Sequence, residues 1–156
     1  MYIAKIIVFV LTAFIFTAPA LAVDNEVTAA VFTWNNMGEM APEDVSKHYV
    51  SVSRASDVIQ HSIEYSDMLM AQKTTTYKTE DNARFSLFNA LGDAVKCWES
   101  DYYEEIMDGS SWRVVISYAD GSEKEFNGYG KTPPDADKIK NLILALADFK
   151  TRPLIF

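Results

Sequence analysis

Five features of this sequence have residue types and spacings that could do chemistry. Gly128-Tyr129-Gly130-Lys131-Thr132 ends like a phosphate-binding loop. Such a loop holds phosphate on free backbone amides at the start of a helix. It requires a glycine five positions before Gly130, where Glu125 stands, and a helix opening at Lys131, where Pro133-Pro134 follows. A carboxylate would repel phosphate, so no nucleotide is expected here. Asp135 and Asp137 have the spacing of calcium ligands, but the glycine and terminal glutamate of a calcium loop are missing. Helix capping explains both acids better.

His48 and His61 are the only histidines. With Ala55-Ser56-Asp57 as a turn, His61 pairs with Ser51 and His48 with Glu64. That register sends the two rings to opposite faces of a sheet. Zinc would need three or four ligands, and no Gly-x-Ser-x-Gly elbow marks a serine nucleophile. No catalytic residue, metal ligand or cofactor is therefore assigned. Cys97, the single cysteine, has Lys96 as its one basic sequence neighbour. That is weak support for a thiolate, and it reads as a small, partly buried helix residue.

The unusual run is Trp98 to Trp112, in which Glu99, Asp101, Glu104, Glu105 and Asp108 alternate with Trp98, Tyr102 and Tyr103. Tyrosine and tryptophan offer large contact area with a polar tip, and carboxylates speed encounter with a basic partner. Tyr102, Tyr103, Glu104 and Glu105 are the candidate binding residues. The competing readings are a solvated connector with its aromatics packed on a sheet, or closely spaced carboxylates doing acid–base work.

The elements that must position these residues are clearest in the second half. Residues 79–98 read as a helix capped by Thr79, with Glu80 and Asp81 in its first turn. Leu87, Phe88, Leu91, Ala94, Val95 and Trp98 form its apolar stripe. Residues 135–149 read as a second helix, capped by Asp135, with Ile139, Leu142, Ile143, Leu146 and Phe149 on its buried face. Between them lies a hairpin. A three-residue loop, Ala119-Asp120-Gly121, sets Val114 opposite Phe126 and Ile116 opposite Lys124, with Gly121 left-handed.

Earlier in the chain, Val27–Trp34, His48–Arg54 and Val58–Tyr65 read as strands. Thr74–Lys78 reads as extended chain leading into the first helix, outside the strand count. A short helix from Pro42 is an alternative for its neighbourhood. The expected fold is α+β: an antiparallel sheet of about five strands with two helices packed on one face, in the order β-β-β-α-β-β-α. At the end of the chain, Leu154 and Phe156 are expected to dock on the core.

The chain opens with Lys5, an apolar run from Ile6 to Phe16 and the small-residue pattern Ala20-Leu21-Ala22. These are the parts of a cleavable signal peptide, residues 1–22, ahead of a single domain, residues 23–156. Removing Lys5 takes the net charge from −8 to −9. Such acidity disfavours nucleic acid and anionic membrane surfaces as partners. No membrane association is expected after signal cleavage. One cysteine in an exported chain leaves no internal disulfide.

The order Asp108-Gly109, Trp112, Val114, Ile116, Tyr118, Asp120-Gly121, Phe126, Gly128, Pro133 and an amphipathic helix resembles the C-terminal part of small uncharacterised exported bacterial proteins. The resemblance covers roughly Trp98 to Phe149 and implies a bacterial envelope protein. It brings no catalytic residues with it. The expectation is a periplasmic or secreted binding or interaction module, meeting another envelope or secreted protein with a basic surface. The alternative is a small periplasmic hydrolase or ligand-binding protein with a cleft near His61.

Overall fold

Alternation of apolar and polar residues sorts most of this chain into strands with one buried face. The computed structural model describes residues 25–106 and 109–156. The expected signal peptide, residues 1–22, lies outside the described residues. Four strands come first: β1 (Val27–Asn36), β2 (Val45–Ser53), β3 (Val58–Tyr65) and β4 (Lys73–Lys78). Helix α1 (Asp81–Ala94) follows. Then come β5 (Asp101–Tyr103), β6 (Ser110–Tyr118), β7 (Glu123–Tyr129) and helix α2 (Ala136–Leu144). The strands form one sheet in the spatial order β4-β3-β2-β1-β6-β7-β5.

The fold is α+β, with seven strands rather than about five, and the sheet is mixed rather than antiparallel. Both differences have local causes. Lys73–Lys78 completes its pairing with β3 along its whole length. It is polar because it is an edge strand, so it lacks the alternation that marks half-buried strands. Asp101–Tyr103 pairs parallel with β7. Three residues are too few to show a period, and a parallel partner is remote in sequence. The stretch from Pro42 forms a turn, not a helix.

Three rows of inward-facing residues cross the sheet. One runs Tyr77, Ile59, Val52, Ala30, Ile116 and Lys124. The next runs Thr75, His61, Val50, Phe32, Val114 and Phe126. The third runs Ile63, His48, Trp34, Trp112, Gly128 and Tyr102. Leu87, Phe88, Leu91 and Ala94 of α1 join one hydrophobic cluster with these rows and with Ile139 and Ile143 of α2.

The β6–β7 hairpin has the expected register, Val114 opposite Phe126 and Ile116 opposite Lys124, and Gly121 has a φ of 83°. The helices are shorter than expected. Glu80, not Thr79, occupies the N-cap of α1, and it makes no side-chain capping bond. Thr79 instead accepts a hydrogen bond from the buried Arg84 guanidinium at 3.2 Å, and its amide donates to Asp57 at 2.8 Å. Arg84 also donates to the Arg54 carbonyl at 3.0 Å, which ties the helix start to the β2–β3 loop. Asp135 precedes α2 with a φ of 62° and makes no side-chain cap either. Cys97 lies beyond the end of α1 and is exposed, not a partly buried helix residue. At the C-terminal end Leu154 is exposed. Ile155 is buried in its place, and the Phe156 ring meets those of Phe32, Trp98 and Trp112.

Gly128 makes room for Trp112. The two are directly opposed on the inner face, and a Cβ at Gly128 would come within 2.2 Å of the indole ring. The indole Nε1 donates to the Lys131 carbonyl at 2.8 Å, which holds the ring in that slot. Gly128→Ala is expected to destabilise the fold by about 3 kcal/mol through overpacking. Gly92→Ala, inside α1 with open space around the new methyl, is expected to stabilise it by about 0.5–1 kcal/mol. Urea denaturation of the two variants checks both signs, and equal midpoints would refute the slot.

Candidate functional site

The four candidate binding residues straddle the end of β5, and strand alternation separates them. Tyr102 points inward, is buried, and packs its ring 5.9 Å from Trp112. Its hydroxyl accepts a hydrogen bond from the Glu99 amide at 2.9 Å. Tyr102 thus belongs to the sheet's inner face and keeps only 8% exposure. Tyr103 points outward, is 71% exposed, and stacks on Tyr129 at 5.8 Å with an interplanar angle of 23°. Glu104 and Glu105 follow, both exposed.

Tyr129 anchors this corner. Its hydroxyl donates to the Ile106 carbonyl at 3.1 Å and accepts from the Gly109 amide at 3.3 Å. Its carbonyl accepts from the Glu104 amide at 2.9 Å. The stacked rings border a shallow recess of about 460 Å³ that also includes Asn35, Asp101, Arg113 and Asn127. Arg113 pairs with Glu125, whose carboxyl is held below its ordinary value by the guanidinium's hydrogen bond. Asn35 donates to the Ser111 hydroxyl at 3.1 Å, and its side-chain carbonyl oxygen is buried without a partner among the described residues.

Tyr129, Arg113 and Asn127 did not figure as site residues in the sequence. The signal for them was present, because the β6–β7 register sets Arg113 opposite Asn127 and Ser111 opposite Tyr129 on the outer face. What brings Tyr103 beside them is the parallel pairing of β5 with β7. The "GYGKT" stretch contributes strand residues through Tyr129 and opens no helix at Lys131.

The histidines differ from expectation. They lie on the same face, with His48 Nδ1 and His61 Nε2 3.0 Å apart and the rings stacked. The observed register sets His48 opposite Ile63 and Val50 opposite His61, one residue away from the expected one. The loop is four residues, Arg54 to Asp57, not three. The physical reason lies in the apolar residues. The expected register would set Val50 and Val52 opposite Ser62 and Gln60, whereas the observed one aligns Val52 with Ile59.

Trp34 meets His48 edge-on and Phe149 meets His61 edge-on. The space beside His61 is about 20 Å³, room for one water. Another recess, about 540 Å³, lies against Arg54, Asn89 and Gly92. Arg54 is already engaged there by Glu26 and Asn89. Among the described residues no group of three or more His, Cys, Asp or Glu side chains is placed to hold a metal ion. Among the same residues no helix is long and apolar enough to cross a membrane.

No protein-family profile and no curated protein sequence matches this chain.

Burial lowers both histidines, and the charge of His61 lowers His48 further, to about 4. The unfolded chain, with an ordinary histidine value of 6.5, therefore binds more protons than the folded one. Stability from neutral His48 is full above pH 6.5. It is lost as pH falls toward 4, by on the order of 3 kcal/mol. Replacing both histidines by leucine is expected to flatten this part of the pH dependence. Urea midpoints at pH 7.5 and 4.5 check it. An equal acid loss in the variant and the wild type would place the titration elsewhere.

Proposed function

We propose that this chain is a non-enzymatic binding module of a bacterial cell envelope. Its partner is another envelope or secreted protein with a basic surface. One observation carries the reading: the exposed Tyr103 stacked on the half-buried Tyr129 beside Asp101, Glu104 and Glu105 at a sheet edge. Tyrosine faces supply contact area at small entropic cost, and the carboxylates steer a cationic surface toward them. The signal-like N-terminal segment and the net charge of −8 support export and an acidic, steering surface. The resemblance of Trp98–Phe149 to small exported bacterial proteins points the same way.

Immobilised protein in a native envelope extract is expected to retain a partner. Tyr103→Ala is expected to weaken retention at least tenfold, and Glu104→Lys/Glu105→Lys to abolish it at low salt. Tyr103 is exposed and outside the core cluster, so its loss leaves the thermal midpoint unchanged. Wild-type protein that retains nothing above background would end this reading.

A further inference from the structure

Four of the six methionines of this chain, Met37, Met40, Met68 and Met70, fall in two loops, and Glu104 and Glu105 fall in a third. The topology brings those loops to one end of the sheet. They join β1 to β2, β3 to β4 and β5 to β6, where Asn36 meets Ser110, Val45 meets Tyr65 and Tyr103 meets Tyr129. Backbone hydrogen bonds tie the loops together. The Ser66 amide donates to the Asp44 carbonyl at 2.9 Å, Asp67 to Pro42 at 3.1 Å, and Met37 to Gly109 at 3.2 Å.

The tip of the β3–β4 loop is an ordered turn. The Met70 amide donates to the Asp67 carbonyl at 3.0 Å, and the Leu69 amide to the Asp67 side chain at 2.8 Å. Turn centres favour Gly, Pro, Asn, Asp and Ser. Here they are Met68 and Leu69, exposed at 97% and 93%. Met37 is 60% exposed at the same end. An apolar pair held out in water by a hydrogen-bonded turn marks a contact surface rather than a loose loop.

The charges within these loops are acidic, while Lys73 at the start of β4 and Lys131 just past β7 stand at the same end of the sheet. Glu39, Glu43, Asp44, Asp67, Glu104 and Glu105 lie in these loops, and no lysine or arginine does. Thioethers on unbranched chains adapt to irregular apolar partners. From β4 to β5 the sheet end spans six strand spacings, about 29 Å, which matches a helix of about 20 residues.

We infer that this loop end docks a cationic amphipathic helix of another protein, its apolar face on Met68, Leu69 and Met37 and its basic flanks on the surrounding carboxylates. The inference rests on the reading of the chain as an interaction module, and adds an apolar anchor and the partner's chemistry. The acidic rim disfavours the anionic lipid surface that an exposed Met-Leu tip could otherwise enter.

The test uses the purified protein and a 20-residue helical peptide of leucine and lysine, with leucine at i, i+3, i+4 and i+7, followed by calorimetry. Met68→Ser/Leu69→Ser keeps the net charge and touches no core residue. It is expected to weaken binding at least tenfold with an unchanged thermal midpoint. Glu104→Lys/Glu105→Lys is expected to weaken binding and reduce its salt dependence. A Met68→Ser/Leu69→Ser variant that retains the envelope partner as well as wild type does would overturn this inference while leaving the reading of the stacked tyrosines standing. Equal affinity for the Met68→Ser/Leu69→Ser variant, or for a peptide with glutamate in place of lysine, would overturn the inference. So would co-sedimentation with phosphatidylglycerol vesicles, or self-association that the same variant abolishes.

Discussion

Phe32 of β1 lies opposite Val50 on one side and Val114 on the other, and the alignment of the whole sheet follows from that placement. β1 sits centrally and is covered on both edges, so its register is copied outward in both directions. A slip of one residue would turn Ala30, Phe32 and Trp34 to solvent and bring Val31 and Thr33 inward. With the register as it stands, three rows run across the sheet, and the helices close over a single apolar cluster.

Those rows also decide what happens to residues that look chemical in isolation. His48 and His61 occupy row positions, so they are buried, stacked and bonded to each other between Trp34 and Phe149. Burial favours their neutral forms and ties part of the stability to pH. Gly128 is a row position too, and its missing side chain is the slot for Trp112. The polar and aromatic groups that the pleat sends outward at this corner are Tyr103, Tyr129, Arg113 and Asn127.

The N-terminal half shows how a buried polar residue misleads a sequence reading. The alternation of Val50 and Val52 against Ile59 and Ile63 contains the correct β2–β3 register. A three-residue turn at Ala55–Asp57 implies a different one, and treating the histidines as neutral to the pattern leaves the conflict unseen. In the β6–β7 hairpin no such conflict exists. Val114, Ile116 and Phe126 agree with a left-handed Gly121, and the expected register is the one found. The acidic-aromatic run divides in the same way. Its exposed carboxylates were legible from composition, whereas the inward turn of Tyr102 required knowing that β5 is a strand.

By itself the sequence determined the local elements whose signals repeat within a few residues: the amphipathic cores of both helices, the long alternating strands, the Ala119–Gly121 turn and the acidic balance of the whole chain. Tertiary structure decided which distant pieces meet. It set β5 parallel to β7, from which β6 separates it in the chain, recruited the polar Lys73–Lys78 to an edge, and gathered the methionine-bearing loops at one end of the sheet. Periodicity reports how a segment divides between core and water. It carries no information on which segment lies alongside, because that choice is made by shape and burial summed over the whole sheet.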